Sequence, residues 1–192
     1  MCKMFNPLGY SVYVSNFGKN KKRLSSLYKE GSTIFTSFHV SEEYDDTYVE
    51  RAAAMCRYLS HIGYRIMVDV SPKTLKLFQV NHLMDFSEKM NIGILRIDYG
   101  YSEDEIAGIA KQIPICVNAS VLTAKSAEVV AKNGIEVCAM HNFYPRPETG
   151  LDEEQFFKRN LMLKQVGIKV LAFIPGDMEK RGPIFEGLPT LE

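Results

Sequence analysis

Residues 93–98, Gly93-Ile94-Leu95-Arg96-Ile97-Asp98, form a short apolar run that is typical of a β-strand and that ends in a charged side chain. Six more runs of this kind end at Ser15-Asn16, His39, Asp69, Asn118, His141-Asn142 and Pro175-Gly176-Asp177. Amphipathic stretches of helical length separate the runs. This alternation predicts a parallel β-sheet with intervening helices, a fold class in which active sites lie at the carboxyl ends of the strands. The functional side chains are therefore expected among the residues that end the runs.

The order and length of the predicted elements favour one fold. The predicted strands cover residues 9–14, 33–38, 64–70, 92–98, 113–118, 135–140 and 168–174. The predicted helices cover residues 20–30, 44–62, 103–111, 124–133 and 152–166, with a less regular helical region at 73–90. Gly31, Gly63, Gly134 and Gly167 follow four of these helices, as expected of glycines that end a helix. Seven β/α units with short connections indicate an α/β fold of the (β/α)₈ TIM-barrel type rather than a doubly wound sheet.

The predicted barrel is incomplete. A closed barrel of this type has eight strands and about 250 residues, whereas this chain has 192 residues and seven predicted strands. We therefore expect residues 1–192 to be an N-terminal barrel domain that is truncated before its last strand. A complete small domain is the alternative interpretation.

Composition and charge exclude several classes of partner. The chain is 46% hydrophobic, and its 23 Lys and Arg residues balance 23 Asp and Glu residues, so we expect no binding to nucleic acid or to a membrane surface. No run approaches the roughly 20 apolar residues that span a bilayer. The first residues lack the apolar core of a signal peptide, which predicts a cytoplasmic protein. The four cysteines show no metal-binding spacing, and we expect reduced thiols, no metal and no cofactor.

Strand alternation assigns a direction to Arg96. Arg96 and Asp98 share one face of their strand, while Leu95 and Ile97 share the other. The apolar pair must face the helices, so Arg96 and Asp98 are predicted to point toward the barrel axis. An inward arginine requires an anion, which is either a neighbouring carboxylate or a group on a ligand. Asp69 ends the preceding strand in the same way, so Asp69 and Asp98 are predicted to meet at the mouth of the barrel as an acid–base or nucleophilic pair.

Two loops carry the other candidate binding residues. Residues 141–150, His-Asn-Phe-Tyr-Pro-Arg-Pro-Glu-Thr-Gly, combine many functional groups in a loop that two prolines stiffen, which suits preorganised binding. A loop stiffened only for stability is the alternative. Residues 176–183 place Lys180 and Arg181 beside glycine amides, at the strand end where barrels often bind phosphate. The candidate substrate-binding residues are Arg96, Asn118, His141, Asn142, Tyr144, Arg146, Asp177, Lys180, Arg181 and Glu186.

Several segments together resemble one known family. Residues 11–16, 34–39, 69–75, 95–100, 141–151, 172–177 and 180–192 occur in the order found in the bacterial 6-phospho-N-acetylmuramidase family. The Pro-rich loop of residues 141–150 makes the resemblance specific. It implies a TIM barrel followed by a cyclophilin-like β domain, which we expect to be absent from residues 1–192. It also implies a cytoplasmic glycosidase of cell-wall recycling that cleaves the bond between 6-phospho-N-acetylmuramic acid and the next sugar.

The resemblance leaves the individual roles open. Asp98, Glu148 and Asp69 are the candidate catalytic carboxylates, and the sequence does not assign the acid, the base or nucleophile, or the stereochemical outcome. We expect Arg181 and Lys180 to bind the phosphate, and Arg96 to orient Asp98 or to bind the lactyl carboxylate. One alternative function is a phosphosugar aldolase or isomerase that uses Lys73 or Lys169. Another is an inactive fragment of the hydrolase.

Overall fold

The computed structural model describes residues 8–97, 99–142 and 151–173. The strands are β1 (Gly9–Ser11), β2 (Thr33–Ser37), β3 (Arg65–Val70), β4 (Ile94–Ile97), β5 (Ile115–Asn118), β6 (Val137–Met140) and β7 (Lys169–Leu171). The helices are α1 (Phe17–Leu27), α2 (Tyr48–Ile62), α3 (Pro72–Leu77), α4 (Leu83–Met90), α5 (Glu103–Ala110), α6 (Ala124–Asn133) and α7 (Glu153–Gln165). The seven strands pair in parallel and in chain order. The predicted β/α alternation is confirmed.

Three of the predicted helical regions differ from the structure by more than one residue. Helix α1 ends at Leu27 instead of continuing to Gly31, because Tyr28 adopts an extended conformation and packs its ring edge-on against Tyr64, with 5.1 Å between centroids. Helix α2 begins at Tyr48 instead of residue 44, because the Asp45 carboxylate accepts a hydrogen bond of 2.8 Å from the N–H of Thr47. The helical region predicted at 73–90 is two helices, α3 and α4.

The sheet curls into an incomplete barrel. Strands β2 and β7 would be about 24 Å apart in a flat sheet, since neighbouring strands are separated by about 4.8 Å. The rings of Phe35 on β2 and Phe173 just after β7 are instead 4.9 Å apart. Within the described residues, β1 and β7 are the two edges of the sheet.

Two separate apolar layers lie on opposite faces of the curled sheet. Strand residues such as Ile66, Val68, Leu95 and Ile97 pack with side chains of the helices. The other layer contains residues of the strands and of the position just after β7 only, which places it inside the barrel: Phe35, Met67, Ile94, Cys116, Cys138, Met140, Leu171 and Phe173. The predicted outward direction of Leu95 and Ile97 is therefore confirmed.

An ion pair crosses the amino-terminal end of the barrel, which we call the floor. Arg65 at the start of β3 donates two hydrogen bonds of 2.7 Å to the carboxylate of Glu136, just before β6. Arg65 also donates to the carbonyl of Gly93 at 3.3 Å. The pair thus joins two strands that are separated in the sheet by β4 and β5.

Across residues 8–97, 99–142 and 151–173, none of the helices combines the length and the apolar character that crossing a membrane requires.

Candidate functional site

A buried ion pair lies at the carboxyl end of the barrel, which we call the mouth. Asp69 on β3 and Arg96 on β4 are register neighbours and both point inward. Nη1 of Arg96 donates to Oδ1 of Asp69 at 2.6 Å, and the two side chains are only 4% and 11% exposed. The carboxylate beside Arg96 in the described structure is thus Asp69, whereas Asp98, the partner expected from the sequence, lies outside the described residues.

Asn142, which follows β6, connects this pair to β6, the strand beyond β5. Nη2 of Arg96 donates to the amide oxygen of Asn142 at 2.7 Å, so the guanidinium joins Asp69 to the end of β6. The N–H of Asn142 donates to the hydroxyl of Ser120 at 3.0 Å. Two of the residues predicted to bind substrate, Arg96 and Asn142, are therefore in direct contact.

His141 is placed on the helix side of the sheet and not in the mouth. Its ring is fully buried and lies 4.5 Å from the ring of Phe156 on α7. Nε2 lies 2.9 Å from Oδ1 of Asn160, and Nδ1 lies 3.3 Å from the hydroxyl of Ser120. In this position the imidazole connects α7 to the loop after β5, which in turn holds the backbone of Asn142.

Asn118 ends β5 beside the ion pair and is nearly buried. Its side-chain oxygen accepts a hydrogen bond of 3.0 Å from the N–H of Ser120. The amide oxygen is thereby fixed toward the backbone, and the amide nitrogen, which is a hydrogen-bond donor, is turned away from it.

A second polar cluster, around His39, covers the β2–β4 side of the mouth. Nε2 of His39 lies 3.2 Å from the hydroxyl of Ser71 and 3.3 Å from that of Thr74, both of which follow β3. The ring of Tyr99, after β4, lies 5.6 Å from the His39 ring and is 47% exposed. A half-exposed aromatic ring next to an imidazole offers a flat surface and a polar edge to a ligand in the mouth.

Glu43 adds a carboxylate between the ends of β1 and β2. The N–H of Ser15 donates to its Oε1 at 3.3 Å, and the Ser15 hydroxyl donates to the same oxygen. The other oxygen, Oε2, is buried and has no hydrogen-bond partner among the described residues. Burial, followed by the charges of Tyr99 and Glu43, raises the pKa of the neighbouring Tyr44 hydroxyl.

The layer below the ion pair is apolar and contains two cysteines. Cys116 lies next to Cys138 across β5 and β6, and both thiols are free and buried. Burial, and after it the contact with Cys138, raises the pKa of the Cys116 thiol well above its usual value. The ion pair therefore lies on an apolar layer. Within the described ranges, no group of three or more His, Cys, Asp or Glu side chains is arranged to hold a metal ion.

Comparison with known proteins identifies the family. The model of the family described as 6-phospho-N-acetylmuramidase, N-terminal, matches residues 8–192. The chain belongs to this family. The resemblance found in the sequence is thus confirmed. No curated protein matches the chain.

Solved structures agree with the fold. A conserved protein of unknown function from Enterococcus faecalis is 34% identical, with a TM-score of 0.76 over 95% of this chain and 52% of that chain. An uncharacterized B. cereus protein is 24% identical, with a TM-score of 0.74 over 98% of this chain and 53% of that chain. The chain thus spans about half the length of these two proteins. Thiamine phosphate pyrophosphorylase from Pyrococcus furiosus, at 12% identity and a TM-score of 0.50 over 88% of this chain and 86% of that chain, is similar in fold alone.

Much of the site predicted from the sequence lies beyond the described ranges. This applies to Asp98, Tyr144, Arg146, Glu148, Asp177, Lys180, Arg181 and Glu186. The structure brings Asp69, Arg96 and Asn142 into contact at the mouth, and Asn118 is linked to Asn142 through Ser120. Sequence reasoning named His39 as a strand end but gave it no role, and it missed Glu43, Ser71 and Tyr99. Their position after strand ends is the signal that could have found them.

Proposed function

We propose that this chain is the barrel part of a glycoside hydrolase that releases 6-phospho-N-acetylmuramic acid from the neighbouring sugar during cell-wall recycling in the cytoplasm. The observation that carries the proposal is the family match over residues 8–192. The buried Asp69–Arg96 pair at the mouth supports it, because a barrel with a carboxylate and a guanidinium at this end is suited to an anionic sugar.

Asp69 is suited to the role that requires a charged carboxylate. Glycoside hydrolysis uses one carboxylic acid to protonate the leaving oxygen and a second carboxylate as base or nucleophile. A guanidinium in contact favours the ionised form of a carboxylate, and Nη1 of Arg96 lies 2.6 Å from Asp69. We therefore assign Asp69 to the base, the nucleophile or the group that orients the acetamido nitrogen. The acid is then Asp98 or Glu148.

The phosphate requires cations that are not already paired. Arg96 contacts both Asp69 and Asn142, so its guanidinium is suited to orienting the carboxylate, or to contacting the lactyl carboxylate at its edge. Arg181, with Lys180, is the proposed phosphate-binding residue, and Arg146 is the next candidate. Lys169 starts β7 at the end opposite the mouth, so no observation favours the aldolase alternative, in which Lys73 or Lys169 would form a Schiff base.

The test is release of sugar from a disaccharide that carries 6-phospho-N-acetylmuramic acid. We expect Asp69→Asn and at least one of Asp98→Asn and Glu148→Gln to lower kcat by about 100-fold or more, the usual effect of removing acid–base catalysis. Arg181→Ala should reduce the preference for the phosphorylated over the unphosphorylated substrate. Full turnover in all three carboxylate variants would rule out the assignment, and an equal loss for both substrates would move the phosphate site to Arg146.

A further inference from the structure

A small cavity lies on the helix side of the sheet, between the carboxyl ends of β4 and β5 and helix α5. Its volume is about 80 Å³. Ile97, Val117 and Leu122 form apolar walls. Tyr99 and Val121, which are 47% and 62% exposed, are the most exposed of the described residues that line it and mark its opening. Because Tyr99 also contacts His39, the opening faces the same rim as the His39 cluster.

Three of the lining residues carry a polar group, and two of these residues, Tyr101 and Asn118, are less exposed than Tyr99. Tyr101 is one of its lining residues, and the Tyr101 hydroxyl is buried without a hydrogen-bond partner among the described residues. Burial, and after it the charge of Glu105, raises the pKa of Tyr101 to about 12, so the hydroxyl keeps its proton. Asn118 lines the cavity too, and its amide nitrogen is turned away from the Ser120 backbone that holds its oxygen. A buried hydroxyl without a partner lowers stability unless a ligand or water supplies one.

The size and polarity of the cavity determine which group of an amino sugar fits into it. One water takes up about 30 Å³ in the liquid, so the cavity corresponds to two or three waters and accepts a group of about three or four non-hydrogen atoms. That is too small for a sugar ring. A phosphate is excluded because none of the described lining residues is cationic. An acetamido group fits, since it has an apolar methyl, an amide N–H and a carbonyl oxygen.

We propose that this cavity binds the acetamido group of an N-acetylated sugar, with the methyl against Val117 and Leu122 and the amide hydrogen-bonded to the Tyr101 hydroxyl and the Asn118 side chain. The assignment rests on the proposed function for the identity of the sugar. It adds a specificity site on the β4–β5 side of the mouth, separate from the Asp69–Arg96 pair. It also gives the Tyr101 hydroxyl a partner that the folded chain alone does not provide in its described part.

The first experiment compares binding of N-acetylmuramic acid 6-phosphate with binding of its analogue that has a free amine, by calorimetry on the whole chain. Tyr101→Phe removes only the hydroxyl, and we expect it to weaken binding of the N-acetylated sugar about fivefold, the usual effect of one lost hydrogen bond. Binding of the free-amine sugar should not change. Tyr10→Phe on β1, far from the cavity lining, is the matched control and should affect neither sugar.

The second experiment tests the cavity without a phosphosugar. N-methylacetamide is titrated into the chain while the methyl NMR signals of Val117, Val121 and Leu122 are recorded. We expect saturable shifts of these signals, and we expect Val121→Trp, a change at the exposed rim, to abolish the shifts of Val117 and Leu122 by covering the opening. Inorganic phosphate should leave the same signals unchanged.

The outcomes separate this inference from the proposed function. Shifts with the amide, but no binding of either phosphosugar, would support the cavity assignment and contradict the proposed function. Equal effects of Tyr101→Phe on both sugars, or methyl signals that do not respond to the amide, would overturn the cavity assignment while the proposed function stands. The cavity would then be only a packing void.

Discussion

Among single residues, Asp69 and Arg96 are those at which we expect substitution to lower the stability of the fold most. Both side chains are almost completely buried, and the two partners come from neighbouring strands. Removing one partner of a buried ion pair costs about 3–5 kcal/mol, because the other charge remains buried. We therefore expect Asp69→Asn to lower the free energy of unfolding by about 3 kcal/mol, measured by urea denaturation.

The double variant Asp69→Asn/Arg96→Met is the control for this prediction. It removes both charges while the methionine fills most of the arginine volume, so it should be more stable than Asp69→Asn alone. A loss below about 1 kcal/mol for Asp69→Asn, the range of an exposed pair, would show that water solvates the remaining guanidinium.

The direction of Arg96 could be predicted from the sequence, whereas its partners could not. Two-residue alternation along Leu95, Arg96 and Ile97 is a local property of a strand, and it gave the correct face. The same alternation, applied to Cys138, Met140 and His141, would have placed His141 on the helix side, where the structure has it. Contacts such as His39 with Ser71 and Thr74 depend on how neighbouring loops fold over the mouth, and residue spacing carries no information about them.

Among the helices, α2 has the end that is most sensitive to sequence. Gly63 ends α2 with a φ of +112°, a region that side chains with a Cβ rarely adopt. A Cβ at this position would also lie 2.5 Å from the hydroxyl oxygen of Tyr28. We expect Gly63→Ala to lower the free energy of unfolding by about 1–2 kcal/mol, the usual cost of a left-handed conformation for such a residue.

Gly108, within α5, provides the matched control. Apart from the chain neighbours and the backbone of α5 itself, no atom comes within 4 Å of a Cβ built at Gly108. Alanine is favoured over glycine inside a helix by about 0.5–1 kcal/mol, so Gly108→Ala should stabilise the chain. If thermal unfolding shows that both variants change stability in the same direction, the conformation at Gly63 is not the cause.

Boundaries were harder to predict than the order of the elements. The alternation of strands and helices follows from apolar periodicity, which is local, and all seven strands were found. The C-cap at Gly63 was also predicted correctly. Gly31 looked equally suitable, but packing of the Tyr28 ring against Tyr64 ends α1 earlier. Tertiary packing of a single aromatic ring therefore outweighed a local signal.

For the whole molecule, the ion pair at the floor links β3 and β6. These two strands do not pair with each other in the sheet, because β4 and β5 lie between them. Arg65 and Glu136 join β3 to β6 with two parallel hydrogen bonds of 2.7 Å, and their side chains are about a third exposed, at 32% and 38%. A bidentate pair with this exposure contributes at the upper end of the range for surface pairs, about 1 kcal/mol. The Lys158–Glu154 pair on α7 is much more exposed, at 72% and 78%, and links residues of one helix only.

A double-mutant cycle on each pair tests this difference. For Arg65→Met and Glu136→Gln we expect a coupling of about 1 kcal/mol in urea denaturation, and for Lys158→Met and Glu154→Gln at most about 0.5 kcal/mol. Raising the salt concentration to about 1 M shortens the Debye length to about 3 Å. The coupling on α7 should then vanish. Part of the coupling at the floor should remain, because its bidentate hydrogen bonds persist. Equal couplings in the two cycles would mean that linking β3 to β6 gives the floor pair no additional stabilising energy. The inner layer around Phe35 and Phe173 would then hold the two sides of the sheet together by packing alone.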